Sequence, residues 1–204
     1  MGVSHVQAKL EFETKEINTS ATAYDKEVRV RYHFVNTGDK PVTITWLKSS
    51  CGCVVPKVRD QVVAPGQTGE LEALFDIDVR QGKQKRTIIV NTDNLDEPRI
   101  ELFFNTDIPL VIKPSQNIIS WPEGESGTQK ITVETDEKVP VQELVALYKN
   151  EYLDVKVEPA GPSKTYTVEF TPKPYAPRIK AKVNLQAKIG NTLFKIAHLI
   201  VTYK

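Results

Sequence analysis

The chain has 204 residues, a formal net charge of +1 and 40% hydrophobic side chains, which is enough apolar material for a core in one or two domains. Nucleic-acid-binding proteins usually carry a strong basic excess, so this near-neutral balance argues against a nucleic-acid partner. Val, Ile and Thr together number 56, whereas Leu, Ala and Met number 25. Because β-branched side chains suit a pleated strand, this ratio argues against a helical bundle and favours an all-β protein.

The sequence shows no pattern of a membrane or targeting segment. Its longest apolar runs, such as Ile108 to Ile112, are far shorter than the roughly 20 residues that a membrane-spanning helix needs. The first residues, Met1 to His5, contain no apolar signal-peptide core. We therefore expect no transmembrane segment, and no secretory signal in the chain as written.

Alternation of apolar and polar residues dominates the first half of the chain and is typical of half-buried strands. In the clearest case, residues 28–34, every second residue is apolar. Turn-forming residues separate such segments, as in the loops at 36–41 and 64–69. About seven short strands in about 100 residues, with turns every 8–12 residues, is the pattern of a β-sandwich. The predicted strands of this half lie at 9–13, 28–34, 42–46, 71–75, 88–90 and 100–105.

The second half of the chain repeats the pattern of the first at an offset of about 95 residues, which places Phe75 on Phe170. An offset of this size is the length of one sandwich. A short, apolar, proline-containing linker lies between the two halves. The sequence therefore predicts two tandem immunoglobulin-like β-sandwiches, at residues 8–106 and 110–204.

The apolar phase of each predicted strand also predicts which side chains form the cores. The first core is expected to contain Phe34, Trp46, Phe75, Ile88 and Val90. The second core is expected to contain Tyr166, Phe170, Val183 and Leu185.

One segment of the second half, residues 141–149, fits two patterns. Its apolar residues are compatible with a short helix as well as with a strand. We favour a strand that ends at a turn near Asn150, with the alternating segment 153–157 as its partner strand.

Cys51 and Cys53 are the only cysteines of the chain, within the stretch Ser-Ser-Cys-Gly-Cys-Val-Val. In an extended segment, residues two apart share one face, so the two sulfurs are expected to lie close together. Three interpretations compete: small hydrophobic side chains packed in the core, a labile disulfide that closes a very small ring, and a two-thiolate site for Cu(I) or half of a zinc site.

Two observations bear on these interpretations. The three histidines, His5, His33 and His198, are scattered along the chain and do not complete a zinc ligand set. At the offset of about 95 residues the second half has Ala146 and Tyr148 in place of the cysteines. A thiol pair that only one repeat needs indicates a role specific to the first unit.

Three motifs follow one another in the first half: Phe34-Val35-Asn36-Thr37-Gly38, Ser50-Cys51-Gly52-Cys53 and Ala64-Pro65-Gly66. Their order, over about residues 27–93, resembles the bacterial domain-of-unknown-function family 1573. That family is similar to the immunoglobulin-like domains of major sperm protein and of the ASPM, SPD-2 and Hydin group, which are interaction modules. The resemblance implies an extracytoplasmic bacterial protein, often made with a lipoprotein or secretory signal.

Candidate catalytic groups are few. His33 precedes Cys51 by one predicted strand, but its position in the alternation favours a solvent-facing side chain. Asp76 and Asp78 share a strand face without other converging groups, and the acidic stretch 93–97 is typical of a turn rather than of a Ca²⁺ site. No nucleophile-elbow, phosphate-loop or dinucleotide motif is present. The sequence therefore predicts a non-enzyme without a cofactor.

These observations together predict a structural or interaction module of the bacterial cell envelope, periplasmic or extracellular. It would bind an unidentified protein or surface partner through sheet edges or loops, and the sequence does not indicate an oligomeric state. The alternative is a thiol protein that uses Cys51 and Cys53 to bind copper, as Cu(I), or for redox exchange.

Overall fold

A computed structural model describes residues 8–203 except 78, 124, 161–163 and 175, and of residues 193–196 it describes the backbone alone. Within these ranges the chain consists of strands and turns, with no helix. Packing contacts divide it into two compact units between Ile108 and Pro109, and residues 79–81 group with the second unit. The chain is an all-β protein of two tandem immunoglobulin-like sandwiches, as the alternation of its sequence predicted.

The first unit is a sandwich of a four-stranded and a five-stranded sheet. One sheet has the order β1-β3-β7-β5 and the other the order β2-β9-β8-β4-β6. All pairs are antiparallel except β2 with β9, which run parallel. The strands are β1 (Leu10–Phe12), β2 (Glu16–Ser20), β3 (Glu27–Asn36), β4 (Val42–Ser49), β5 (Val54–Val58), β6 (Val62–Val63), β7 (Thr68–Asp76), β8 (Gly82–Thr92) and β9 (Arg99–Ile108).

The second unit repeats this strand order. Its sheets are β10-β12-β15-β14 and β11-β17-β16-β13, with β11 and β17 as the parallel pair. In the described residues of this unit, no strand corresponds to β6. The strands are β10 (Ile112–Pro114), β11 (Ile118–Ser120), β12 (Gln129–Thr135), β13 (Glu143–Leu147), β14 (Leu153–Pro159), β15 (Thr165–Pro172), β16 (Ile179–Ile189) and β17 (Thr192–Tyr203).

The cores lie between the two sheets of each unit, where the inward-facing residues of the alternating strands meet. Along β3, every second side chain from Val28 to Phe34 is buried and the residues between them face solvent or are only half-buried. Burial is confirmed for seven of the predicted core residues: Phe34, Phe75, Ile88, Val90, Phe170, Val183 and Leu185.

Trp46 was expected in the first core, and this prediction is wrong, because the side chain is 55% exposed. The pairing of β4 with β8 shifts register between Ile44 and Trp46. An inserted residue of this kind moves every later side chain to the opposite face of the sheet. Leu47 consequently packs against the core in place of Trp46.

Tyr166 was also expected in a core and is only half-buried. It is the second residue of β15, near the end of the sandwich, where fewer side chains cover it. Burial of part of the ring raises the pKa of its phenol. A tyrosine at such a place keeps its hydroxyl close to water.

The ambiguous segment 141–149 forms the strand β13, as favoured, but the predicted partner is wrong. β13 pairs with β16, whereas β14 pairs with β15 in the opposite sheet. The residues between β13 and β14 carry the chain from one sheet to the other, so two strands that are adjacent in sequence do not pair.

Candidate functional site at the cystine turn

Cys51, Gly52 and Cys53 lie in a turn that connects β4 in one sheet with β5 in the other. The two cysteines form a disulfide, with their Cα atoms 5.2 Å apart. The prediction that the sulfurs lie together is confirmed, but the expected extended backbone is wrong, because the chain must reverse here to reach the other sheet. The interpretation as two free thiols in the core is also wrong for this structure, since the described residues include no free cysteine.

Backbone hydrogen bonds hold both ends of this turn. Before the bridge, the Ser50 N–H donates to the carbonyl oxygen of Thr87 on β8, at 2.9 Å. After the bridge, the Asp76 N–H on β7 donates to the carbonyl oxygen of Cys53, also at 2.9 Å. The turn is therefore anchored to both sheets by bonds that do not involve sulfur.

The cystine turn also closes the outer edge of β5. Alternate residues of a strand direct their backbone groups to opposite sides, so Val54 and Pro56 direct theirs away from β7. The Ser49 hydroxyl lies 2.8 Å from the Val54 carbonyl oxygen and 2.6 Å from that of Cys51, and donates to them. Pro56 has no N–H to offer. These contacts leave little on this edge of β5 for another strand to pair with.

The bridge itself remains within reach of solvent. Both cysteines are half-buried and pack against the core from outside. Gly52 is exposed, and a Cβ atom built on it would meet no heavy atom within 4 Å. The space over the middle of the turn is therefore open.

The second half of β4, which leads into the cystine turn, is an open sheet edge. β6 pairs with β4 only at Val42 and Thr43. From Thr45 to Ser49, no described strand pairs with the side of β4 that faces away from β8. Such an edge presents unpaired backbone N–H and C=O groups. Trp46, 55% exposed, projects from this segment.

Lys48 accompanies Trp46 on this edge. Its ammonium nitrogen lies 5.5 Å from the centre of the indole ring, within the range of a cation–π contact. The combination of a large aromatic surface, a cation and unpaired backbone groups distinguishes this edge from that of β5. The sequence contained the signal, since an aromatic residue in a strand was visible, but its exposure depends on the bulge.

The other candidate residues do not converge on the cystine. His33 lies on the solvent face of β3, with its Nδ1 3.7 Å from a carboxylate oxygen of Glu70. His198 contacts Asn184 in the second unit, at 2.8 Å, and burial of its ring lowers its pKa. Asp76 is exposed, and Asp78 and His5 lie outside the described residues.

The acidic stretch 93–97 forms a turn, as expected. The Thr43 N–H donates to Oδ1 of Asp93 at 2.7 Å, and this hydrogen bond lowers the pKa of Asp93. The buried Asn94 accepts from the Asp96 N–H at 3.1 Å. The side-chain oxygens are thus used within the fold, and the described ranges contain no cluster of three or more His, Cys, Asp or Glu side chains that could hold a metal ion.

A groove of about 1020 Å³ lies over the outer face of the sheet that contains β3 and β7. Its lining carries charges of both signs, and Glu70 lies close to His33 and 3.6 Å from the neighbouring Arg31. Exposed ion pairs of this kind contribute little energy, and a lining of mixed sign does not select a ligand of one charge. The cystine turn with the open edge of β4 is the stronger candidate site.

Among proteins with curated descriptions, none matches the chain significantly. Three solved structures are distantly similar. A protein of unknown function from Porphyromonas gingivalis W83 is 12% identical, with 96% of this chain and 99% of that chain covered and a TM-score of 0.38. Mouse clustered PcdhgC3 EC1-3 is 12% identical, with 97% and 67% covered and a TM-score of 0.38. Domains 5-6 of the S-layer protein SbsC are 11% identical, with 95% and 98% covered and a TM-score of 0.31.

Likenesses this weak carry no argument about function. In the part of the chain that the structure describes, no helix has the length and apolarity of a membrane span. Residues 10–108, which make up the first unit, match the family described as Protein of unknown function (DUF1573), the same family that the N-T-G and S-C-G-C motifs indicated.

Proposed function

We propose that the chain is a non-catalytic interaction module of the bacterial cell envelope, and that its first unit binds an extended segment of a partner protein along the open edge of β4. The observation that carries this proposal is the exposed Trp46 on the segment from Thr45 to Ser49, whose outer side no described strand occupies.

The physical basis is β-augmentation. A partner segment that adds to an open edge forms main-chain hydrogen bonds with the unpaired groups of that edge, and side-chain contacts provide specificity. Trp is enriched among the residues that dominate binding energy in protein interfaces. Trp46 would lose most of its exposed surface under a partner strand, which favours the complex through burial of apolar area.

Charge indicates the kind of segment that would bind. On the open edge itself, Lys48 is an exposed cation beside Trp46, and the segment from Thr45 to Ser49 has no carboxylate. Complementary charge accelerates association and disfavours partners of like charge. We therefore propose that the partner segment carries acidic side chains beside its strand-forming residues.

The disulfide supports a location in the envelope. Disulfides persist in oxidising compartments, such as the bacterial periplasm and the cell surface, and are rare in the cytosol. The bridge between Cys51 and Cys53 therefore fits a periplasmic or extracellular setting.

The test is site-specific photo-crosslinking in the native bacterium. A photoreactive residue placed at position 46 is compared with one at Leu95, which is 93% exposed in the turn between β8 and β9. We expect a discrete cross-linked protein from position 46 alone. With that protein purified, the Trp46→Ser variant should bind it at least about tenfold more weakly, the effect of losing one dominant interface residue.

Equal cross-linking from positions 46 and 95, or unchanged affinity of the Trp46→Ser variant, would contradict the proposal. The Leu95→Ser variant is the matched control, since it also removes an exposed apolar side chain and should leave the affinity unchanged.

A further inference from the structure

We propose that the Cys51–Cys53 disulfide is a thiol–disulfide exchange site, and that its co-reactant is a polypeptide segment with two cysteine thiols docked on the open edge of β4. This inference rests on the proposed function, because it uses the same edge to bring the segment to the bridge. The proposed function assigns only binding of a partner segment to this edge, and the exchange site adds a chemical reaction and a class of substrate.

The position of the bridge is the first argument. The open edge runs from Thr45 to Ser49, and Cys51 follows two residues later. A strand that extends along this edge is therefore led directly to the cystine turn. Exchange requires access of the attacking sulfur to the bridge, and the half-buried cysteines with the open space over Gly52 provide it.

The second argument is that the fold around the bridge does not depend on the bridge. The bonds from Ser50 to Thr87 and from Asp76 to Cys53 are backbone hydrogen bonds, which persist when the sulfurs separate. A disulfide between residues two apart closes a very short loop, and the entropy that a cross-link removes from the unfolded chain is smallest for short loops. Both thiols therefore stay side by side after reduction, ready to re-form the bridge.

The reaction has two steps. A thiolate of the partner attacks one sulfur of the bridge, the bond between Cys51 and Cys53 breaks, and a mixed disulfide forms while the other cysteine leaves as a thiolate. The second thiolate of the partner then attacks the partner's own sulfur in the mixed disulfide, which releases the remaining cysteine. The partner dithiol is oxidised by two electrons, the cystine is reduced by two electrons, and the two thiol protons pass to Cys51 and Cys53.

The experiment uses the full chain in its oxidised form and the reduced peptide Glu-Val-Cys-Thr-Cys-Val-Glu as the probe, with dithiothreitol as a small dithiol. Samples are quenched with acid, alkylated and analysed by mass spectrometry. We expect one disulfide equivalent to move from the protein to the peptide, at least tenfold faster than from a free oxidised peptide with the sequence of residues 49–55. The reduced protein should keep its β circular-dichroism spectrum.

Four variants separate the steps. Trp46→Ser should slow the reaction with the peptide at least tenfold and leave that with dithiothreitol unchanged. Gly52→Leu fills the open space over the turn without strain and should slow both reactions. In the reduced state, Cys51→Ser and Cys53→Ser should each form a mixed disulfide with the oxidised probe peptide.

Two results would overturn the inference. The first is a folded protein that reacts with the probe peptide no faster than the free cystine peptide does. The second is unfolding of the first unit on reduction, which would make the bridge a structural disulfide. If exchange is fast but Trp46→Ser changes neither rate, the exchange chemistry stands and docking on the edge of β4, hence the proposed function, fails.

Discussion

Asn36 is a fully buried polar side chain that connects three segments of the first unit. Its Nδ2 donates to the carbonyl oxygens of Lys40 and Val63, each at 2.8 Å, and its Oδ1 accepts from the Gly38 N–H at 3.0 Å. The asparagine of the N-T-G motif thus ties the turn after β3 to β6. The motif was visible in the sequence, but the contact with Val63, 27 residues later, was not.

Replacing Asn36 with Ala should lower the free energy of unfolding by about 2–4 kcal/mol, since three hydrogen bonds contribute about 1 kcal/mol each and buried groups lose their partners. Guanidinium denaturation would measure this loss. Thr37→Ala, an exposed neighbour in the same motif, is the control, and an equal effect of both variants would contradict the assigned role.

Because of Tyr32, the free energy of unfolding is expected to fall at alkaline pH. Burial raises the pKa of its phenol, to which the charge of Glu16 adds, and its hydroxyl donates to the Phe103 carbonyl oxygen at 2.7 Å. Above about pH 10 the unfolded chain loses this proton and the folded chain keeps it, so stability falls by up to about 1.4 kcal/mol per pH unit.

The measurement is urea denaturation between pH 8 and pH 11 for the wild type and Tyr32→Phe. The variant should show a shallower loss of stability at high pH and, at neutral pH, a loss of about 1 kcal/mol from the missing hydrogen bond. Parallel pH profiles for the two proteins would mean that the Tyr32 proton is not retained.

Copper binding remains open as the alternative use of Cys51 and Cys53. In the oxidised form the sulfurs are bonded to each other and cannot ligate a metal ion. We expect that the reduced protein does not retain Cu(I) against a competing chelator, because the two cysteines lie side by side on one short turn, whereas a two-thiolate Cu(I) site places its sulfurs on opposite sides of the ion. Stoichiometric Cu(I) uptake that is lost in the Cys51→Ser/Cys53→Ser variant would make metal handling the leading function.

At the scale of the element, β4 shows how one inserted residue decides which surface a strand presents. The alternation of Val42, Ile44 and Trp46 predicted a continuous inward face. The bulge after Ile44 turns Trp46 outward and Leu47 inward. The second half of the strand therefore still contributes Leu47 to the core, but it presents Trp46 on the exposed face.

Truncation of Phe75 should therefore lower the stability of the protein much more than truncation of Trp46. Phe75 is fully buried and its ring lies 5.7 Å from that of Phe104, so Phe75→Ala should cost about 3–5 kcal/mol. Trp46→Ala should cost less than about 1 kcal/mol, as is usual for exposed positions. Thermal and chemical denaturation would check both values, and a large loss for Trp46→Ala would mean that its side chain is covered.

At the scale of the whole molecule, the chain uses one strand order twice. The orders β1-β3-β7-β5 and β10-β12-β15-β14 correspond strand by strand, as do the orders of the other two sheets. The first unit differs by the cystine turn and by β6. These two additions lie next to the open edge of β4. The strand order is therefore common to both units, whereas the features on which the proposed function rests occur in the first unit.

We propose that the first sandwich folds without the second. A chain of residues 8–108 should unfold in one cooperative transition, because its core and both of its sheets lie within these residues. Circular dichroism during urea denaturation would check this. A non-cooperative transition would show that the first unit needs the rest of the chain.

Local pattern was sufficient to predict most of the strands and most of their buried faces, because alternation depends only on neighbours in sequence. It identified the inward residues of β3 and the N-T-G and S-C-G-C motifs before any contact was known. It missed β2, β5 and β6. The short polar segment of β2 is half-buried at most, and its place in the sheet depends on parallel pairing with the distant β9.

Only the tertiary structure decided the bulge in β4, the pairing of β13 with β16, the reversal at Cys51–Cys53 and the open edge beside it. Each of these depends on which distant strand lies alongside and in which register, and a one-residue shift exchanges the two faces of a strand. Strand pairing is a property of segments far apart in sequence, so the alternation of a single segment determines its faces but not its neighbours.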